Sequence, residues 1–355
     1  MFDERNLVPV LELAEQTGLS WLIGEHVELP STRMRSGAVN PAGKLTTIIA
    51  GMMCGADSID DANVLRAGGT ARVFDEVYAP STVGILLREF TFGHANQLTA
   101  VARAHLIALT QRTPLLAGSD ERMFLDIDSL LRPVYGHQKQ GASFGHAKIA
   151  GRALLRKGLS PLITTLSTPT AAPVIAEAWL RSGKTGSGRG AARQLKQAIT
   201  TARAIDADAT IMARGDSAFG TKKMIAACLD EQIEFSLTLS RNRRVTKAIE
   251  TTFADLIDGP LARIPFGLFS ANCAWLGCAV IAHNLLRAAG TLAGGNHAVA
   301  RSATLRRDLV NVPARFAAPA RRPTLHLPAH WPWQTGWKTL WNNIIGYSPA
   351  IPRAG

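Results

Sequence analysis

Apolar residues recur at helical spacing through the N-terminal part of the chain. Leu7, Val10, Leu11 and Ala14, for example, would line one face of a helix. Further helices are predicted at residues 45–54, 58–65, 81–89 and 97–109. The run 114–120 contains proline, glycine and serine, which are typical of a loop. We therefore predict a helical N-terminal region over residues 1–117.

From residue 123 onward the apolar residues form short runs that are typical of buried strands. Strands are predicted at 123–127, 143–149, 161–166, 209–213 and 233–239, and helices at 171–180, 190–204 and 222–230. A meander followed by β/α crossovers predicts an α/β core over residues 118–260, a mixed sheet with helices on both faces. This order matches the ribonuclease-H-like fold.

Helical periodicity returns in residues 261–355, which we predict to form a helical C-terminal region. Helices are expected at 269–289 and 300–312. Trp333, Trp337 and Trp341 are spaced four residues apart, so they would share one side of another helix. We favour a buried face for this stripe over a platform for stacking nucleic acid bases.

The charge of the chain narrows the classes of partner. The 355 residues include 39 Lys and Arg against 27 Asp and Glu, a formal net charge of +12. This excess suits a polyanion such as nucleic acid, although a solubilising surface is the alternative explanation. The apolar fraction of 46% is sufficient for packed cores.

Nothing in the sequence predicts a secreted or membrane protein. The four cysteines are far apart and lack metal-ligand spacing, which indicates reduced, mostly buried thiols. The first residues lack the basic and apolar regions of a signal peptide. The most apolar run, 274–282, is too short to cross a bilayer. We expect a soluble cytoplasmic protein.

Two of the predicted strands end in carboxylates, in the sequences Asp-Ile-Asp-Ser at 126–129 and Arg-Gly-Asp-Ser at 214–217. Neighbouring carboxylates repel, and a protein usually tolerates them when a divalent metal lies between them. In a basic chain this pattern predicts phosphodiester chemistry on nucleic acid. Asp126 and Asp128 would share a strand face, and we favour Asp128 because it is nearer the strand end. Helix or turn capping is the alternative role for Asp128 and Asp216.

Polar residues around these strand ends are candidate phosphate contacts. The loop 182–190 contains Gly-Lys-Thr, but the glycine that a nucleotide phosphate loop requires five positions earlier is Ala178, and a helix is predicted before the loop. We therefore exclude a nucleotide site and keep the loop as a contact to the DNA backbone. The candidate DNA-binding residues are His137, Lys139, Lys148, Lys184, Arg189, Arg193 and Arg214. A solvated surface is the alternative, also for the arginine-rich stretch 301–322.

Several longer motifs lie along nearly the whole chain. They include Tyr-Gly-His-Gln-Lys-Gln-Gly-Ala at 135–142, Leu-Ser-Thr-Pro-Thr at 166–170, Arg-Gly-Asp-Ser-Ala-Phe at 214–219, Gly-Pro-Leu-Ala-Arg-Ile-Pro at 259–265 and Ala-His-Asn-Leu-Leu-Arg at 282–287. Together with the Asp-Ile-Asp-Ser sequence at 126–129, they resemble bacterial insertion-sequence transposases of the DDE type.

The resemblance implies a ribonuclease-H-like core that uses two Mg²⁺ ions, with Mn²⁺ as a substitute, to cut and join DNA at the ends of a mobile element. Asp128 (or Asp126) and Asp216 would be the first two catalytic metal ligands. The third would be a glutamate on a helix shortly before the sequence Gly-Pro-Leu-Ala, and Glu250 is the matching residue. The implied partners are terminal inverted repeats, target DNA and a second copy of the chain during synapsis, with no membrane and a place at the nucleoid.

One departure from the family is large. Such transposases carry a β-rich insertion between the last core strand and the helix that bears the glutamate. Here only the arginine-rich residues 240–249 separate them, so the chain resembles an internally deleted copy. A non-catalytic DNA-binding remnant is therefore the alternative to an active strand transferase.

The net charge predicts that binding to element-end DNA weakens steeply as salt is added, because each neutralised phosphate releases condensed counterions. With about six to ten phosphate contacts, affinity should fall roughly 10³- to 10⁵-fold between about 50 and 200 mM salt. A titration series by fluorescence anisotropy measures this slope, and a flat response would contradict the assignment of the basic surface to DNA.

Overall fold

The computed structural model describes most of the chain. The described residues are 7–29, 37–66, 77–136, 138–149, 152–237, 255–256, 258–317, 324–328 and 331–346. Both His137 and Glu250, which the sequence singled out, lie outside them.

Helices form the N-terminal part, as predicted. They are α1 (Val8–Gln16), α2 (Leu19–His26), α3 (Pro41–Met53), a 3₁₀ helix (Asp60–Arg66), α4 (Pro80–Glu89) and α5 (Phe92–Arg112). Helix α5 begins five residues earlier than expected because Thr91 caps it. The Thr91 hydroxyl accepts from the His94 N–H, and His94 Nδ1 accepts from the Thr91 N–H.

The central sheet is mixed, as predicted. Its strands among the described residues are β1 (Arg122–Ser129), β2 (Arg132–Pro133), β3 (Ser143–Ile149), β4 (Arg152–Ser167), β5 (Val174–Ser182), β6 (Thr210–Gly215) and β7 (Glu234–Ser236). The main strands lie in the order β5-β4-β1-β6-β7. Strands β1, β6 and β7 are parallel, whereas β4 is antiparallel to both of its neighbours. Helices α6 (Ala191–Ile205) and α7 (Lys222–Asp230) belong to the crossovers, and the arrangement is ribonuclease-H-like.

Strand β4 is more than twice as long as the predicted strand 161–166. Its second half pairs with β1 and β5. Its first half extends past the end of β1 and pairs with β2 and β3. Glycine is required where β2 crosses β4, because a Cβ on Gly158 would lie 2.2 Å from the Arg132 carbonyl oxygen. The polar loop after β2 therefore starts from a position fixed on the first half of β4.

The helix predicted at residues 171–180 is wrong, since this segment forms β5. Its alanines favour a helix locally, but pairing with β4 and burial of both faces decide the outcome. On the other edge of β5, Asn284 takes the place of a neighbouring strand. Its side chain accepts from the Ile175 N–H at 2.9 Å and donates to the Ile175 carbonyl at 3.0 Å.

The core is organised around one long helix, α8 (Phe269–Ala293), which packs against α3, α5 and β5. It is longer than the apolar run 274–282, and by length and composition it could span a membrane. However, 83% of its most apolar 18-residue window is buried inside the fold, as expected of a core helix.

The C-terminal part continues with short elements. They are α9 (Ser302–Leu305), a π-helical turn (Arg306–Val310), the hairpin β8 (Arg315–Ala317) and β9 (Thr324–His326), and α10 (Gln334–Ile344). Trp337 is buried and stacks on Trp341 at 5.2 Å between ring centroids. The expected buried face holds for Trp337 and in part for Trp341, whereas Trp333 is only half-buried and lies under the Arg307 guanidinium. Two exposed arginines of the basic stretch, Arg301 and Arg307, form ion pairs with aspartates.

Replacing Asn284 with Leu should strongly destabilise the fold, because the buried N–H and carbonyl of Ile175 would both lose their partner. Each unpaired group costs about 1–3 kcal/mol, so the free energy of unfolding should fall by roughly 2–4 kcal/mol in a urea titration. Asn96→Leu, on the exposed side of α5, is the matched control and should change it by less than about 0.5 kcal/mol. Equal effects of the two substitutions would show that the Asn284 amide does not stabilise β5.

Candidate catalytic site

The parallel register of β1 and β6 brings two aspartates to one edge of the sheet. Ile127 is opposite Gly215 in the last residue pair of the ladder, so Asp128 and Asp216 follow at the same level, one residue further along each strand. Neighbouring strands are about 4.8 Å apart. The structure therefore brings together the two carboxylates that the sequence placed at matched strand ends.

Both aspartates are accessible at this edge. Asp128 is half-buried, and its Oδ1 accepts from the Ser129 N–H at 2.7 Å. Asp216 is exposed and caps the short 3₁₀ helix Ser217–Phe219, where its Oδ1 accepts from the Ala218 N–H at 2.9 Å. Capping holds the Asp216 carboxylate in one orientation and does not conflict with a role as a metal ligand.

Asp126 is in a different environment from Asp128, although both lie on the same face of β1. Its side chain is fully buried, and Arg214 donates to it twice, from Nε to Oδ1 and from Nη2 to Oδ2, each at 2.6 Å. The guanidinium also lies over the Phe124 ring at 4.0 Å. Burial raises the pKa of the Asp126 carboxyl, and the bonds from Arg214 oppose this rise. With both oxygens engaged by Arg214, Asp126 acts as a clamp between β1 and β6.

A buried arginine that the sequence did not single out organises the loop before α6. Arg181, near the end of β5, is 4% exposed. Its Nη1 donates to the carbonyls of Ser187 at 3.0 Å and Arg189 at 2.9 Å, and its Nε and Nη2 reach Ser160. Burial lowers its pKa to about 10 and the nearby Asp128 carboxylate opposes this, so the guanidinium remains charged at neutral pH.

This loop, residues 183–190, touches both segments that carry the aspartates. The Ser187 hydroxyl accepts from the Ser129 hydroxyl at 3.0 Å, directly after Asp128. On the other side Gly188 lies so close to Thr221 and the Ala218 carbonyl that an added Cβ would be 3.1 and 3.4 Å from them. Lys184 and Arg189 are exposed on the same loop. Arg181 thus fixes a loop that contacts the residues following both aspartates and that also carries these two exposed cations.

The other candidate DNA-binding residues lie in varied surroundings. Lys139 Nζ donates to the carbonyls of Ile264 at 3.1 Å and Pro265 at 3.2 Å, and burial lowers its pKa. Arg193 is exposed beside Arg103 and Glu177, in a hollow of about 120 Å³. Lys148 is in β3, paired with β4, and Arg214 is the partner of Asp126.

Asp128 and Asp216 supply oxygen donors of the type that Mg²⁺ and Mn²⁺ prefer. In the part of the chain that the structure describes, no three His, Cys, Asp or Glu side chains come together in a group that could hold a metal. Two carboxylates at one accessible edge therefore fit part of a divalent-metal site.

Comparison with known families agrees with this geometry. The family model described as "Transposase DDE domain group 1" matches residues 7–260, which include β1, β6 and both aspartates. The chain belongs to this DDE transposase family. No curated protein matches the chain. Membership shows a transposase domain, and the mixed sheet flanked by helices is consistent with the ribonuclease-H-like fold of such a domain.

The sequence analysis of this DDE transposase domain missed one residue and one contact. Arg181 fell at the end of a segment interpreted as a helix, so its direction toward the loop 183–190 could not be foreseen. The contact between Asp126 and Arg214 requires the parallel register of β1 with β6, in which the two residues are paired. The available signal was that each precedes a candidate metal ligand by two residues.

Removing either partner of the buried clamp should destabilise the protein, because it leaves the other charge buried without a counterion. Asp126→Leu and Arg214→Met should each lower the free energy of unfolding by about 3–5 kcal/mol, and the double variant by clearly less than the sum. Urea denaturation of the four proteins measures the coupling. Asp128→Asn, on the same strand face, is the control and should show no comparable coupling to Arg214→Met. Additive effects in the Asp126 cycle would contradict the clamp.

Proposed function

We propose that this transposase is a metal-dependent DNA strand transferase that cleaves the ends of an insertion sequence and joins them to target DNA. The observation that carries the proposal is the register of β1 and β6, which places Asp128 and Asp216 at one edge of the sheet. DNA with terminal inverted repeats would be the substrate, in the cytoplasm at the nucleoid.

Asp128, Asp216 and Glu250 are the proposed ligands of Mg²⁺, for which Mn²⁺ would substitute. When bound, the metal would activate a water or 3′-hydroxyl and stabilise the leaving oxygen of the phosphodiester. Asp128 is preferred to Asp126 because the oxygens of Asp126 are already bonded to Arg214. Glu250 lies five residues before the described Asp255, whose buried carboxylate accepts from the Ser302 N–H at 3.0 Å. That anchor limits how far the third ligand can lie from the fold.

The loop 183–190 is the proposed support for the DNA backbone next to the metal ligands. Lys184 and Arg189 are exposed there, and Arg181 and Ser187 fix the loop against the end of β1. Cationic side chains on a fixed loop can orient a phosphate without reading sequence. His137, Lys139, Lys148 and Arg193 are proposed as more distant phosphate contacts, whereas the engagement of Arg214 with Asp126 favours a structural role for it.

The second candidate function is a non-catalytic DNA-binding remnant. Strand β7 ends at Ser236 and the described chain resumes at Asp255, so only a short connection replaces the β-rich insertion expected in this family. A connection this short would alter the support of Glu250 while leaving the basic surface intact. Self-association during synapsis is expected under the first function and is not required by the second.

Asp216→Ala should abolish Mg²⁺-dependent nicking of element-end DNA and leave DNA binding near the level of the unchanged protein, because one carboxylate is lost from an otherwise basic surface. Loss of even an outer-shell partner of a metal ligand lowers activity about 10- to 100-fold, so loss of a ligand should exceed that range. Nicking of labelled DNA and anisotropy measure the two properties.

Asp208→Ala is the matched control, since Asp208 is an exposed aspartate before the other end of β6. It should leave nicking unchanged. Cleavage that persists in Asp216→Ala would remove Asp216 from the mechanism. DNA binding by the unchanged protein without any nicking, in Mg²⁺ or Mn²⁺, would favour the remnant.

A further inference from the structure

A groove separate from the carboxylate edge lies between the N-terminal helices and the loop after β2. It encloses about 540 Å³ and is lined by α4, by the end of β2 and by residues 263–265. A second hollow of about 770 Å³ shares Ile59, Arg88, Lys139 and Pro265 with the first, so the two form one elongated channel. Of the roles proposed above, only the phosphate contact of Lys139 falls on a residue that lines this channel.

The walls of the groove are fixed by hydrogen bonds. Arg132, in β2, donates from Nε to the Leu261 carbonyl at 3.0 Å and from Nη2 to the Ala262 carbonyl at 3.1 Å. Later in the same loop, Lys139 Nζ donates to two more carbonyls of the facing segment. The Gln140 N–H donates to the Gly267 carbonyl at 2.7 Å. The groove is therefore formed before any ligand arrives, which lowers the entropic cost of binding.

The exposed groups of the groove are an aromatic ring and two guanidinium groups. Tyr135 is 84% exposed, the highest value among the large hydrophobic side chains of the described residues, so its ring face is available for stacking. Arg88 is exposed on α4, and the Arg263 side chain is 72% exposed, with one long contact of 3.7 Å to Asp57. Asp60 is the acidic residue among those that line the groove, so the cations predominate.

This combination fits unpaired nucleotides. Aromatic rings stack on the faces of bases, and arginines bind the phosphates that join them. In a duplex the base faces are covered by their neighbours, so Tyr135 could stack only on a base that is unpaired. The two adjoining hollows, of about 540 and 770 Å³, together offer more room than a single nucleotide fills, which favours an oligonucleotide over a free nucleotide.

The groove is also in line with the carboxylate edge. On β4, Ile163 pairs with Asp128 and Gly158 pairs with Pro133, which lines the groove. Five residues of strand separate them, a distance of about 17 Å. That distance corresponds to a few nucleotides of one DNA strand at about 3.4 Å each.

We propose that this channel is a binding site for single-stranded DNA, in which Tyr135 stacks on an unpaired base and Arg88 and Arg263 bind the adjoining phosphates. Its use during strand transfer, a few nucleotides from the bond cut at Asp128 and Asp216, rests on the proposed function. Binding of the single strand does not, because it requires neither metal nor cleavage.

The test is fluorescence anisotropy of the full chain with a labelled 12-nucleotide oligothymidine and with a 12-base-pair duplex, both in EDTA. Tyr135→Ala should weaken binding of the single strand about 5- to 150-fold, the equivalent of one stacked base, and change duplex binding less than about twofold. Tyr135→Phe retains the ring and should bind as the unchanged protein does. Trp21→Ala removes another exposed aromatic ring, 64% exposed on α2 and outside the groove, and is the matched control.

Arg88→Ala and Arg263→Ala should each weaken single-strand binding and lower its salt dependence, as loss of a phosphate contact requires. Unchanged binding of oligothymidine by Tyr135→Ala, or an equal loss for the duplex, would overturn the proposal. Single-strand binding that depends on Tyr135 in a protein that nicks no DNA would support the groove and reject the strand-transfer function, so the two can fail separately.

Discussion

The buried ion pair between Asp126 and Arg214 is the constraint on which the rest of the site depends. It joins β1 to β6 at a residue pair that lies two positions before Asp128 and Asp216. A shift of the register by one residue would turn Arg214 to the opposite face and leave a buried carboxylate without a counterion. The pair therefore specifies the alignment that sets the two outer aspartates at the same level.

The positively charged side chains around this alignment are of two kinds, buried arginines that bond other protein groups and exposed cations on the surface. Arg181 and Arg214 are enclosed, and their donors are occupied by carbonyls, a hydroxyl and a carboxylate. Lys184 and Arg189 remain exposed on the loop that Arg181 holds. Enclosed arginines lose little motion when DNA binds, and exposed cations near the carboxylates can attract a phosphate. Some of the positive charges of the chain therefore hold the site in shape, whereas others remain exposed to solvent.

Much of the sheet could be predicted from the sequence because its strands are short apolar runs with clear ends. The segment 123–127 corresponds to β1, 209–213 to β6, and the helix at 222–230 matches α7. The failure at 171–180 has a physical cause, since the alanine-rich composition of β5 favours a helix unless β4 and Asn284 pair with it. The first half of β4 was missed because it extends past the end of β1 and forms a strand only through its pairing with β2 and β3.

By itself the sequence determined the type of fold, the resemblance to DDE transposases and the two segments that end in aspartates, because these features are written in local periodicity and motifs. Only the tertiary structure decided that Asp126 is bonded to Arg214 while Asp128 stays accessible at the shared edge, since the two aspartates share a strand face and the partner of Asp126 comes from β6. The tertiary structure alone also placed the Arg181 side chain against the loop 183–190, because its direction depends on β5 forming a strand that pairs with β4. It likewise placed Tyr135 and Arg88 along one groove, because these two residues are distant along the chain and meet only in the folded protein.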